Sequence, residues 1–205
     1  MKLKACGLSN PIEVKTCVEL KVDYCGFILN YPKSHRYVSL NEAKNLTEIN
    51  KGCTKYVGVL VGPSEDELEK FSRLNFDYFQ LYGISDHKKL LEIKKIYKKK
   101  IISSIQVKRR EDIDKYKLIE KSSDIILWDS SGYEESLSWD FNWLKTVSTK
   151  IEKMVAGNIT IDKIKNLENL ADTIDVSGAL ETNKVKDIKK IKEFTAEIKK
   201  VSYEN

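Results

Sequence analysis

Eight short apolar runs, each followed by a longer stretch with helical periodicity, leave few folds open to this chain. The runs occupy residues 2–6, 24–29, 56–61, 78–81, 101–107, 125–129, 153–156 and 173–176. Their β-branched content and length mark them as strands. Residues 11–21 predict the first helix, with Asn10 as N-cap and Pro11 at the first helical position. Ser64 and Glu67 have the spacing of a capping box. The last helix, over 185–201, places Val185, Ile188, Ile191 and Ile198 on one face among lysines. Eight β–α units at about 25 residues each predict an α/β fold, a closed (β/α)8 TIM barrel, over an open doubly wound sheet. No GxGxxG follows the first strand and no GxxxxGK[ST] occurs, which argues against nucleotide-binding sheets. At 205 residues the chain is expected to form a single domain over 1–205.

Hydrophobic residues at 41% beside 33% charged residues fit a globular protein in water. No run approaches the ~18 apolar residues of a membrane span, and no apolar signal core opens the sequence. The expectation is a cytoplasmic protein without a membrane partner. Cys6, Cys17, Cys25 and Cys53 form no CxxC pair and no disulfide framework, so reduced thiols are expected. Cys17, Cys25 and Cys53 read as packing residues. His35 and His87 are the only histidines, too few for a His-rich metal site. The net charge of +5 comes from lysines interleaved with acids, as in Lys186-Asp187-Ile188-Lys189-Lys190-Ile191-Lys192-Glu193. Solvated helix faces have this pattern. With no aromatic and basic platform or helix-turn-helix, no nucleic acid partner is expected. A mildly basic rim steers an anionic small substrate instead.

Barrels of this kind carry their active sites at the C-terminal ends of the strands. Cys6, Arg36, Tyr82, Asp129, Gly157 and Ser177 all stand at or just beyond such ends. Cys6 has two readings, a small core residue or a base whose thiol pKa is lowered by local positive charge. Gly7 beside it would let a ligand approach the backbone. Asp129 either caps the following helix or acts as a general acid, its pKa raised by the apolar strand and Trp128. Arg36 is a solvated loop charge or a bidentate anchor for a planar carboxylate. Val155-Ala156-Gly157-Asn158 and Asp175-Val176-Ser177-Gly178-Ala179 end the last two strands, where barrels often cradle phosphate. A thiol and a carboxyl at one rim point to acid–base chemistry without a cofactor and without a metal.

Several segments, in order along almost the whole chain, strongly resemble the phosphoribosylanthranilate isomerase family of tryptophan biosynthesis. They are Lys4-Ala5-Cys6-Gly7-Leu8, Tyr31-Pro32-Lys33-Ser34-His35-Arg36-Tyr37-Val38-Ser39, Gly58-Val59-Leu60-Val61, Phe79-Gln80-Leu81-Tyr82-Gly83 and Asp175-Val176-Ser177-Gly178. The Lys-x-Cys-Gly and Pro-Lys-Ser-x-Arg-Tyr-Val-Ser segments are the most specific. The resemblance implies the same barrel and an Amadori rearrangement of N-(5′-phosphoribosyl)anthranilate to 1-(2-carboxyphenylamino)-1-deoxyribulose 5-phosphate. It makes Cys6 the general base and Asp129 the general acid. It makes Arg36, Tyr82, Gly157, Asn158, Asp175, Ser177 and Gly178 substrate-binding residues. A phosphorylated small molecule is then the partner, for a monomer or homodimer.

The chain departs from the family pattern in places. Tyr82 stands where His is usual, Gly157-Asn158 replaces Gly-Gly, and Ser177-Gly178-Ala179 replaces Ser-Ser-Gly. The glycine-rich loop after Asp129 instead carries Glu134 and Glu135, two negative charges near an anionic substrate. Two other functions compete with this one. An aminoaldose-phosphate isomerase of histidine biosynthesis would want a carboxylate where Cys6 stands. A catalytically inactive, phosphate-ligand-binding barrel is supported by the changed sixth loop and opposed by Cys6, Asp129 and Arg36.

Overall fold

The alternation of side chains along eight strands decides what lies inside this molecule and what lies outside. The computed structural model describes residues 1–130 and 137–203, so the loop glutamates Glu134 and Glu135 lie outside the described residues. The strands are β1 (Lys2–Cys6), β2 (Tyr24–Ile28), β3 (Lys55–Val61), β4 (Tyr78–Tyr82), β5 (Lys100–Gln106), β6 (Ile125–Asp129), β7 (Glu152–Ala156) and β8 (Thr173–Val176). Each pairs in parallel with the next, and β8 pairs with β1 to close the barrel.

Successive strand residues face opposite sides of a sheet. In β1, Leu3 and Ala5 therefore join the outer core against the helices, while Lys4 and Cys6 point into the barrel. In β6, Ile125 and Leu127 fill the interior, and Ile126 and Trp128 pack outside. Trp128 donates its indole N–H to the Ile113 carbonyl at 3.1 Å and meets the Tyr116 ring edge-on. It is thus on the opposite face of the strand from the Asp129 carboxyl. Interior residues Tyr24, Val57, Tyr78, Ile102, Ile125 and Met154 make the barrel a packed core.

The helices are α1 (Pro11–Glu19), α2 (Leu40–Thr47), α3 (Glu65–Ser72), α4 (His87–Tyr97), α5 (Tyr116–Ile119), α6 (Ile164–Leu167) and α7 (Ile188–Tyr203). Asn10 caps α1 through Ile12 N–H, and Ser64 and Glu67 form the capping box of α3. A second box, Ser39 with Glu42, starts α2. Such caps each contribute roughly 1 kcal/mol. The later crossovers are less regular than the sequence periodicity predicts. Between β6 and β7 the described residues hold only a 3-10 segment, Phe141–Thr146.

The last helix also starts later than its apolar pattern suggests. Asn183 and Lys184 both adopt left-handed φ, +52° and +62°, as a two-residue hairpin turn requires. That turn joins β9 (Glu181–Thr182) to β10 (Val185–Lys186), an antiparallel pair outside the barrel. Val185 is consequently exposed on a strand, not buried on a helix. Asp187 then accepts the Lys189 N–H at 2.9 Å and lets α7 begin. Cys53 also differs from expectation. It sits in the tight turn that enters β3 and is exposed, whereas Cys17 and Cys25 are buried packing residues. Among the described residues no helix is long and apolar enough to cross a membrane.

Candidate active site

A cavity of about 290 Å³ opens at the C-terminal end of the barrel. Cys6, Arg36, Tyr82, Asp129, Gly157, Asn158, Asp175, Ser177 and Gly178 all line it. Strand register explains the convergence, since Cys6 pairs with Gly26, Asp129 with Ala156, and Val61 with Tyr82. Ile28, Val59, Val61 and Ile159 add an apolar wall suited to a flat ring.

Asp129 is buried, and its Oδ2 accepts the Tyr82 hydroxyl at 2.6 Å. Tyr82 in turn accepts Gln80 Nε2 at 3.1 Å. Burial and the nearby Asp129 charge push the Tyr82 phenol well above its ordinary value, so it remains a proton donor. The residue that replaces the family's histidine therefore orients Asp129.

Cys6 sits above a buried ion pair. Lys4 Nζ donates to Asp175 Oδ2 at 2.8 Å, and both residues lie inside the barrel where their strands pair. Burial and the Asp175 charge push the Cys6 thiol up, against the opposing pull of Lys4 and Lys186. The net direction is upward, contrary to the lowered thiol pKa expected from sequence. Asp175, placed by sequence in the phosphate cradle, lines the cavity and is the interior partner of Lys4.

Arg36 reaches the cavity across Gly7, where any side chain would collide with the arginine stem. Gly7 also has φ of +74°, a conformation that favours glycine. The stem of Arg36 thus lies against the backbone at Gly7. The guanidinium is held by a fork onto Glu181, with Nε donating at 2.5 Å and Nη2 at 2.9 Å. Lys186 Nζ, almost fully buried, donates to the same carboxylate at 2.5 Å, and His35 lies 3.2 Å from it. Burial alone would raise the Glu181 pKa, but the hydrogen bonds and charges of Arg36 and Lys186 bring it down to about 2. Glu181 is a fixed anion that aims Arg36 over the cavity.

The two late loops complete the rim. Gly157 has φ of +119°, and a side chain there would meet Ser130 Oγ at 2.7 Å. Asn158 follows with φ of +46°. Asn tolerates the left-handed region best after glycine, so the missing second glycine leaves the turn intact. The Asn158 side chain is exposed and donates to Ser138 Oγ at 3.1 Å. Ser177 Oγ donates to the Cys6 carbonyl at 2.9 Å and accepts Lys186 Nζ at 3.2 Å. It thereby links the last barrel loop to the first.

Sequence reasoning did not single out Lys4, Gly26, Gln80, Glu181 or Lys186. The period-two alternation from Cys6 would have placed Lys4 on the same face. Glu181 and Lys186 carried the signal of the Asn183-Lys184 turn, which pairs them across β9 and β10. Among the described residues no group of three His, Cys, Asp or Glu side chains is arranged to hold a metal ion.

Comparison with known proteins agrees with this geometry. The family model described as N-(5′phosphoribosyl)anthranilate (PRA) isomerase matches residues 3–197. The N-(5′-phosphoribosyl)anthranilate isomerase of Streptococcus mutans is 33% identical over 202 residues, covering 97% of this chain and 99% of the relative. That of Thermoanaerobacter pseudethanolicus is 28% identical over 204 residues, covering 97% and 98%. Among solved structures, phosphoribosyl anthranilate isomerase from Thermotoga maritima superposes with a TM-score of 0.84 at 23% identity, covering 98% and 99%. Another isomerase structure, in complex with reduced 1-(o-carboxyphenylamino)-1-deoxyribulose 5-phosphate, gives a TM-score of 0.80 at 22% identity, covering 98% and 99%. These two likenesses establish the (β/α)8 barrel. The family-model match spans nearly all of the chain, which belongs to the N-(5′-phosphoribosyl)anthranilate isomerase family.

Proposed function

We propose that this chain catalyses the Amadori rearrangement of N-(5′-phosphoribosyl)anthranilate to 1-(2-carboxyphenylamino)-1-deoxyribulose 5-phosphate in tryptophan biosynthesis. The observation that carries the reading is the sharing of one cavity by Cys6, Asp129 and Arg36. Asp129 gives a proton to the ring oxygen as the C1′–O bond breaks, and the anilino nitrogen lone pair forms the C1′=N bond. The Cys6 thiolate then takes the C2′ proton. The released electron pair forms C1′=C2′, and the C1′=N pair returns to nitrogen. Proton loss from the C2′ hydroxyl and protonation of C1′ complete the ketone. No electron leaves the substrate, so the chain's own acid and base suffice.

Arg36 anchors the anthranilate carboxylate, and Ile28, Val59 and Val61 support its ring. Gly157, Asn158, Ser177 and Gly178 hold the phosphate. One barrel domain supplies all of these groups, so a monomer or a homodimer would serve, in the cytoplasm. The test is turnover of freshly made phosphoribosylanthranilate, followed by loss of its fluorescence. Turnover is expected without added nicotinamide, flavin or pyridoxal phosphate. Its absence in folded protein would reject the assignment.

Arg36→Ala is expected to raise KM by roughly tenfold to a hundredfold, the worth of a charge-assisted hydrogen bond of ~1.5–3 kcal/mol. Glu181→Gln keeps the guanidinium but loosens its fork, and should raise KM less while largely preserving kcat. Saturation kinetics on both variants separates anchoring from chemistry. Parental kcat/KM in Arg36→Ala would make that arginine a loop charge only.

A further inference from the structure

Lys4 has no task in the chemistry above, yet its placement is the least expected in the barrel. The side chain is completely buried, and its Nζ donates to Asp175 Oδ2 at 2.8 Å. Lys4 and Cys6 are two positions apart on β1, so both point inward, and the charge of each bears on the other. Gly26, the register partner of Cys6, leaves the space that both side chains border. A side chain there would approach Cys6 Sγ at 2.9 Å and Lys4 Nζ at 3.1 Å. A buried ion pair is a poor source of stability, because apolar residues of similar volume often serve as well or better. The charge at this position therefore calls for a use.

We propose that Lys4 is a positioning residue, the counter-ion of the Cys6 thiolate, with Asp175 holding its ammonium beneath the sulfur. This inference rests on the assignment of Cys6 as the base. The thiol gives its proton to solvent, leaving a thiolate against a preformed positive charge. The thiolate then takes the C2′ proton and becomes a thiol again, while the C–H electron pair passes into C1′=C2′. A charge already in place needs no reorganisation when the anion forms.

Other groups act on the same sulfur. Asp175 of β8 and burial disfavour the thiolate, whereas Lys4 of β1 and Lys186 of β10 favour it. Cys25 of β2 and the phenol of Tyr82 on β4 are further neighbours, and Asp129 of β6 acts on Asp175. Arg36 is occupied by Glu181. Lys4 is the cation that shares with the sulfur both the inner face of β1 and the gap at Gly26.

The experiment uses full-length protein carrying Cys53→Ser, which removes the exposed thiol. Iodoacetamide alkylation of Cys6 is followed against pH by mass spectrometry, beside the pH profile of kcat/KM. Lys4→Met is expected to move the alkylation midpoint up by about one unit or more, slowing alkylation below the midpoint at least about tenfold. The ascending, low-pH limb of kcat/KM, where the thiolate forms, should move by the same amount. An unmoved midpoint would overturn the proposal, since a merely structural lysine changes activity without moving that titration. If Lys4→Met does not fold, the comparison is Lys4→Met with Asp175→Asn against Asp175→Asn alone, which orphans no carboxylate. The double variant should again titrate higher, and equal midpoints would overturn the proposal. A shifted midpoint in a protein that turns over no phosphoribosylanthranilate supports the Lys4–Cys6 pairing and rejects the isomerase assignment.

Discussion

Replacing Cys6 by alanine is expected to lower kcat/KM by roughly 10²–10⁴-fold, the usual contribution of a positioned base. The fold should survive, because Cys6 is small and lies at the rim of the cavity rather than in the outer core. Cys6→Ser should not rescue the rate. A hydroxyl fits the same space but does not form the anion that takes a carbon-bound proton. Steady-state kinetics and thermal unfolding on the same preparations make the comparison. The matching substitutions at Cys17 and Cys25, which are fully buried, should lower Tm more than activity. At Cys53, exposed in its turn, neither should change. A Cys6→Ala enzyme with near-parental rate would remove the thiol from the mechanism.

Asp129→Asn is the second large effect, and the hydrogen bond from Tyr82 makes it a clean test. The asparagine carbonyl can still accept the Tyr82 hydroxyl, which now donates to Asp129 Oδ2 at 2.6 Å. Shape and anchoring therefore persist while the transferable proton is lost. Ring opening is expected to slow by roughly 10²–10⁴-fold, with little change in affinity for a reduced product analogue. Measuring kcat and analogue binding on this variant separates the two roles weighed for Asp129. Asn is about as good an N-cap as Asp, so a cap would give near-normal turnover.

The strands were legible because their apolar runs are short and well punctuated, and seven-residue β5 needed only a one-position shift from 101–107 to Lys100–Gln106. Capping residues Asn10 and Ser64 were legible because their chemistry is local. The faces of the strands were less well read. Trp128, the sequence neighbour of Asp129, says nothing of what surrounds its carboxyl, because a strand turns adjacent side chains apart. The same alternation, applied to Cys6, identifies Lys4 as a neighbour. Arg36 was recognisable as a cavity residue, but its fork onto Glu181 joins positions 145 apart, which no local pattern encodes. Val185 misled because apolar spacing was weighed without the Asn183-Lys184 turn.

The contact between Lys4 and Asp175 spans 171 positions, and it bears on how the protein reaches its working state. The seam between β1 and β8 brings the first strand of the barrel against the last. Contacts so distant in sequence form late, because their loop-closure entropy is met only when the intervening chain is already ordered. A chain still emerging from the ribosome, or one cut before β8, holds Cys6 and Lys4 without Asp175, Ser177 or Lys186. Turnover then reports on completed closure rather than on the amount of folded strand. In refolding, activity should return with the slowest structural phase.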